Sequence, residues 1–162
     1  MTTGRANLRK TASGTADNVI RQLASGVSVK ALEGKTYAGQ ELLWQGDWEY
    51  LTSCDSYSVG KLVFFYEKAP TRDFVDNGSW IAVPRSVFAR GRCGQKARVC
   101  KGEKCILAKV VERSMTQSSW EGSSAVMKTL GVTVGFERTS SGKVNCSLSY
   151  GDAQNVSISL EN

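Results

Sequence analysis

Residues 96–111 read KARVCKGEKCILAKVV, and this stretch sets the kind of fold to expect. Two runs rich in apolar residues, Lys96 to Cys100 and Lys104 to Val111, stand on either side of Lys101-Gly102. A glycine between two such runs is a hairpin signal, because it accepts backbone angles that other residues resist. The stretch therefore reads as a strand pair. Cys100 and Cys105 flank the turn residues Lys-Gly-Glu-Lys, which leaves a bridge across the turn open.

Upstream, Lys61 to Tyr66 (KLVFFY) reads as an apolar strand and Trp80 to Pro84 (WIAVP) as a short extended segment, with Ser86 to Ala89 making one helical turn. Downstream, Val132 to Glu137, Lys143 to Ser149 and Asn155 to Leu160 read as strands, the last two with period-two alternation. Two helices are expected. Thr15 to Ala24 places Val19, Ile20 and Leu23 on one side, with Thr15 as N-cap; Ser119 to Leu130 groups Ala125, Val126 and Leu130, with Gly131 where a left-handed C-terminal residue belongs. Residues 26–60 hold short elements punctuated by glycine. Strands dominate, so the expectation is a small mainly β barrel rather than a βαβ sheet.

Composition narrows the function. The 162 residues suit one domain with a core of its own. No apolar run approaches the roughly 20 residues of a membrane span. The chain has no histidine, which removes Ser-His triads, histidine bases and most zinc enzymes. Charge is segmented: residues 85–113 carry nine basic and two acidic side chains, whereas residues 31–84 carry four and eight. Residues 1–14 read as a flexible basic arm without the apolar core of a signal peptide. The five cysteines, an odd number, leave at least one thiol free or paired between chains. With three Asn-x-Ser sequons, at Asn77, Asn145 and Asn155, they favour a secreted protein, a cytoplasmic one remaining open.

The order of segments resembles a known superfamily. Phe64-Phe65-Tyr66 is followed by Ile81-Ala82-Val83-Pro84-Arg85-Ser86-Val87-Phe88, then Cys93-Gly94, then the run from Gly102 to Val111-Glu112-Arg113, then Trp120-Glu121-Gly122-Ser123 and Leu130-Gly131. This is similar to the double-psi β-barrel of barwin, expansins, plant natriuretic-peptide-like proteins and rare-lipoprotein-A transglycosylases, over roughly residues 61–150. The resemblance implies a six-stranded double-psi barrel at 61–162 with one or two short helices, an N-terminal extension at 15–60 packed on it, and the arm at 1–14. Glu112 stands where the family has the Asp of Val-Asp-Arg, Glu121 where it has the Asp of Phe-Asp-Leu-Ser, and Ser114 to Ser118 replace its Cys-Pro-x-Cys, so its disulfide scheme does not carry over.

The resemblance makes Glu121 the acid of glycan-cleaving members, and a partly buried carboxyl beside Trp120 would hold a proton more tightly. Inversion needs a second carboxylate, for which Glu67, Asp73 and Asp76 are candidates. The competing reading is stronger: Ser118-x-x-Glu121 is a capping-box pattern. Tyr66, Trp80 and Trp120 fall near the family's groove, where rings stack on sugars, with Trp44 and Trp48 as further candidates. Arg90, Arg92, Lys96 and Arg98 form a basic cluster, with Lys96 and Arg98 on one strand face. The leading expectation is a secreted, expansin- or barwin-like protein that binds cell-wall polysaccharide or another acidic glycan without hydrolysing it, as a wall-loosening factor or effector. The alternatives are a weak glycan-cleaving enzyme using Glu121 and a protein-binding effector or protease inhibitor on the same barrel. Nucleic acid is not an expected partner, and no cofactor or metal is called for.

Overall fold

A computed structural model describes the backbone of residues 6–9 and 19–23, and backbone and side chains of residues 35–55, 70–88 and 93–161. The chain divides into two compact units, Met1–Leu32 and Glu33–Asn162. In the first, strands β1 (Ala6–Arg9) and β2 (Val19–Leu23) pair antiparallel. The helix expected at Thr15 to Ala24 is thus replaced, at Val19–Leu23, by a strand. Val19 and Ile20 are β-branched and fit a pleated ladder better than a helix once a partner strand is present.

The second unit holds a closed six-stranded barrel. Its strands are β3 (Thr36–Trp44), β4 (Trp80–Val83), β5 (Lys96–Lys101), β6 (Lys104–Arg113), β7 (Trp120–Gly122) and β10 (Ala153–Leu160), in the order β10-β3-β7-β4-β6-β5. β3 with β7 and β4 with β6 are parallel; the other four pairings are antiparallel. Exchanging β3, β4 and β5 with β6, β7 and β10 leaves every neighbour and both parallel pairs unchanged, so the barrel is built from two interlocked three-strand halves. It starts upstream of the expected boundary at residue 61, because β3 belongs to it. The expected strand Lys61 to Tyr66 lies outside the described residues.

The β5–β6 hairpin forms as the sequence expects. Lys101 pairs with Lys104, and Gly102 sits at φ +58°, open to glycine. Ala97, Val99, Ala108 and Val110 point into the barrel, where Leu42, Ile81, Val83, Trp120, Ile158 and Leu160 meet them. β4 is buried along its whole length. Ile81 and Val83 face inward, while Trp80 joins a second apolar cluster with Leu51, Val75 and Val111. That cluster lies beneath helix α1 (Trp48–Cys54) and helix α2 (Arg72–Asn77), capped by Asp47 and Thr71.

The helix expected over Ser119 to Leu130 is shorter. Residues 120–122 are β7, and the helix, α3 (Ser124–Thr129), is capped by Ser123, whose Oγ accepts from Val126 N. Glu121 therefore caps nothing, and the capping-box reading falls. Burying the Trp120 indole in the barrel outweighs the local helix signal. Strands β8 (Gly135–Arg138) and β9 (Val144–Tyr150) form a separate two-stranded sheet and take no part in the barrel.

Two disulfides fasten the fold. Cys100–Cys105 closes the β5–β6 hairpin, and Cys54–Cys146 ties the end of α1 to β9. Cys93 is a free thiol. The chain entropy removed from the unfolded state grows with the loop closed. Cys54–Cys146 spans 92 residues and Cys100–Cys105 spans five, so C54S/C146S should lower unfolding free energy by about 4–5 kcal/mol and C100S/C105S by about 2 kcal/mol. Urea titrations of both variants against the parent check the ordering.

Candidate functional site

The site grows from one row of the sheet. Ala82 in β4 registers with Glu112 in β6 on one side and with Glu121 in β7 on the other. Residues level across a sheet project to the same side, so the two glutamates stand on strands two apart, roughly 9–10 Å between backbones. Only the methyl of Ala82 lies between them. The row faces outward: Ile81 and Val83, its neighbours, fill the barrel. A bulge between Ile81 and Ala82 makes Val111 the extra residue and brings Glu112, rather than Val111, opposite Ala82.

Each carboxyl has one strong partner. Gln45 Nε2 donates to Glu112 Oε1 at 2.7 Å, and Ser114 Oγ donates to Glu121 Oε1 at 2.6 Å. Gln45 is placed by its own N–H, which bonds the carbonyl of Gly122 at 3.2 Å. The negative charge of Asp55, the C-cap of α1, raises the proton affinity of both glutamates. The bridge at Cys54 holds the preceding residue.

Burial raises the proton affinity of both carboxyls. Glu112 is only 2% exposed, and desolvation lifts its carboxyl to about 8; the Gln45 hydrogen bond opposes this, while the charges of Glu121 and Asp55 add to it. Its Oε2 is buried with no hydrogen-bond partner among the described residues, an arrangement far less costly for a neutral acid than for a carboxylate. Glu121 is also raised, first by burial and then by Asp55, against the Ser114 hydrogen bond. At neutral pH Glu112 keeps its proton, and Glu121 beside it holds its own more tightly than an ordinary carboxyl. Glu112 also raises the nearby Cys93 thiol, second to burial.

The loop after β6 closes one side. Thr116 N donates to Ser114 Oγ, and Ser119 N to Thr116 Oγ1. Arg85 N and Ser86 N donate to the carbonyls of Thr116 and Gln117, and Ser86 Oγ reaches the latter at 2.6 Å.

The other expected site residues fall elsewhere. Trp80 and Trp120 are each 1% exposed, their indole N–H groups donating to Phe74 O and Gln40 Oε1, so neither offers a ring to a ligand. Trp44 is buried and donates to Ser124 Oγ, while Trp48, half-buried, packs on the Trp80 cluster. Asp73 accepts from Asn77 in α2, and Asp76 accepts from Trp48 N and pairs with Arg72. Among the described residues the carboxyl set level with Glu121 across Ala82 is Glu112, while Asp73 and Asp76 are engaged in and around α2. Lys96 and Arg98 are exposed on one face of β5. Tyr66, Glu67, Arg90 and Arg92 lie outside the described residues. Among the described residues, no group of three or more His, Cys, Asp or Glu side chains is arranged to hold a metal.

Sequence reasoning passed over Glu112, Gln45, Asp55 and Ser114. Glu112 had a visible signal, a carboxyl closing the apolar run ILAKVVE. Gln45 and Asp55 had none, because only the barrel brings them to β6.

No protein-family model and no curated protein matches the chain. Among solved structures, one similar chain is the Streptomyces papain inhibitor, at 12% identity and a TM-score of 0.46, over 80% of this chain and 96% of that one. Likeness at this level transfers no function.

The protonation of Glu112 gives the site a pH signature. Its folded-state value lies above the ordinary 4.5, so the stabilisation from its bound proton is full below about 4.5 and is lost as pH rises towards about 8. E112Q keeps an acceptor for Gln45 and cannot ionise. It should match the parent near pH 4.5 and gain on it by up to roughly 1.4 kcal/mol per pH unit on the way to pH 8. Urea denaturation of both proteins at several pH values reads the gap; parallel curves would contradict a buried neutral Glu112.

Proposed function

We propose that this chain is an exported binding domain whose ligand is another protein, met by the loop from Ser114 to Ser119, and that it turns over no substrate. One observation carries this reading: Met115 is 77% exposed at the head of a loop whose backbone is hydrogen-bonded to Arg85 and Ser86. A large apolar side chain held out by a braced segment loses little conformational entropy on docking. Two disulfides fit an oxidising compartment. No helix among the described residues is long and apolar enough to cross a membrane. The tryptophans expected to stack on sugars are in the wall and core, which takes away the main support for glycan binding in the groove.

Protease inhibition is the form of this reading that is simplest to test. The full chain, in stoichiometric excess, is mixed with purified cysteine, serine, aspartic and metallo endoproteases, and residual activity is read with a small peptide substrate. Inhibition of one class, weakened at least roughly tenfold in M115E by loss of a central apolar anchor, is the expected result. No inhibition together with retention on insoluble wall polysaccharide would return the glycan reading.

A second reading keeps one observation of its own, the protonated Glu112 and Glu121 on either side of Ala82, two facing carboxyls of the kind glycan-cleaving sites use. Against it stands the burial of Glu112, which keeps that carboxyl from any substrate. The expected outcome is no release of reducing ends by the wild type. Sustained release that disappears in E121Q would establish catalysis instead.

A further inference from the structure

Asn77, Asn145 and Asn155 each begin an Asn-x-Ser sequence, and the fold treats them differently. Asn77 is the last residue of α2, and its Nδ2 donates to Asp73 Oδ1 at 2.8 Å. Its serine, Ser79, leads directly into the buried strand β4, and the Ser79 carbonyl accepts from Lys109 N. Asn155 stands in β10 at φ +56°; Val156 beside it lies in the barrel core, and Ser157 pairs with Cys100 of β5. Both sequences are therefore built into the barrel or into the helix packed on it.

Asn145 lies outside that framework. In the β8–β9 ribbon Phe136 pairs with Ser149 and Arg138 with Val144, so residues 145–148 face Glu137 alone. Several residues opposite one push the Asn145-Cys146-Ser147 segment out of the ladder as a bulge. Within it the Asn145 side chain turns onto its own sequence: Oδ1 accepts from Ser147 N at 3.1 Å, an Asx turn. Among the described residues Asn145 Nδ2 has no acceptor, and it is not sealed from solvent. Cys146 and Ser147 are exposed. The middle residue is pinned from α1, by the bridge to Cys54 and by the Tyr50 hydroxyl, which donates to Cys146 O at 3.1 Å.

We propose that Asn145 is an N-glycosylation site, its Nδ2 taking an oligosaccharide from a polyprenyl-diphosphate donor during export, while Asn77 and Asn155 stay bare. An amide nitrogen is a weak nucleophile because its lone pair is shared with the carbonyl. A hydrogen bond onto Oδ1 favours the imidate-like form, in which Nδ2 can give that pair. In the transfer Nδ2 attacks the anomeric carbon and the N–C bond forms. The C–O bond to the diphosphate breaks, its electron pair leaves on the diphosphate, and the Nδ2 proton passes to a base of the transferase. The bulge accepts the sugar without losing a ladder pairing or a hydrogen bond of Nδ2. The glycan stands on the same strand as Leu148 and Tyr150, which are 47% and 50% exposed. A bulky hydrated group there shields this apolar strand from pairing with another chain.

The inference shares with the proposed function only the premise of export. The test places the full chain behind a cleavable secretion leader in a eukaryotic host and reads intact mass before and after an amidase that removes N-glycans and leaves Asp at the modified position. Peptide mapping then locates that Asp. N145Q and S147A, which keeps the Ser147 N–H but loses the hydroxyl, are compared with N77Q and N155Q. Thiol counts confirm one free thiol, hence both bridges, in every secreted variant. The expected result is a glycan on the wild type at Asn145, lost in N145Q and in S147A and retained in N77Q and N155Q. Three outcomes overturn the proposal: a wild type secreted without a glycan, a glycan mapped to Asn77 or Asn155 in preference to Asn145, or a mass shift that survives in N145Q. Because the leader imposes export, a missing glycan counts against Asn145 and leaves the Met115 reading to its own protease panel.

Discussion

β4 has no face turned to water. Four residues, Trp80–Val83, are buried on both sides, and each side organises a different part of the molecule. Inward, Ile81 and Val83 complete the barrel core with Leu42, Trp120 and Ile158. Outward, Trp80 demands cover, which α1 and α2 supply through Leu51 and Val75. A parallel partner cannot be reached by a tight turn, so the parallel pairing of β4 with β6 requires a crossover. That crossover carries the chain through the free Cys93 and the stapled β5–β6 hairpin before it returns beside β4. The carboxyl row exists because both neighbours of β4 place a glutamate level with its one small outward residue, Ala82.

A glutamate at 2% exposure would be prohibitive as an ion, and the surroundings resolve this by keeping the proton on. Among the described residues no basic side chain pairs with Glu112; the amide of Gln45 bonds it, and the charges of Glu121 and Asp55 raise its proton affinity. A lysine or arginine there would have held a carboxylate. The arrangement instead selects a neutral acid at Glu112, and beside it Glu121 has the hydroxyl of Ser114. A leucine of similar volume would satisfy the packing without any of this. The retained acid therefore points to a constraint on the row other than stability, whether it sets the orientation of Gln45 or the charge of the surface around Glu121.

The parts of the fold readable from sequence were those decided locally. The β5–β6 hairpin has alternation, a glycine at the turn and a cysteine pair across it, and all three agree. The alternation of Lys96 and Arg98 likewise placed both on one face. Residues 119–130 were misread because Ala125, Val126 and Leu130 share a helical face, while nothing nearby reports that Trp120 fills the barrel. β3 escaped notice for a related reason: Gly39, at φ +65°, interrupts Thr36–Trp44, and its pairing with β10 is a contact between the two ends of the unit. Of the site, Glu121 was found by its place in a motif order. Glu112 was seen as a departure from that order and given no role, since only the bulge at Val111 turns it towards Ala82.

The loop after β6 is held by hydroxyls and main chain. Ser114 is 1% exposed and joins three groups: it donates to Glu121, accepts from Thr116 N and lies 3.3 Å from the Thr116 hydroxyl. Ser86 and Arg85 hold the far side through the carbonyls of Thr116 and Gln117. Each such bond contributes only about 1 kcal/mol net, but one buried and left unmade costs more, so the network holds as a set. It also couples the loop to the acid row through Ser114 and Glu121. Protonating Glu121 would weaken a charge-assisted bond to Ser114, the residue immediately before Met115. The position of the exposed methionine and the charge of the buried row are thereby two readings of one hydrogen-bond network.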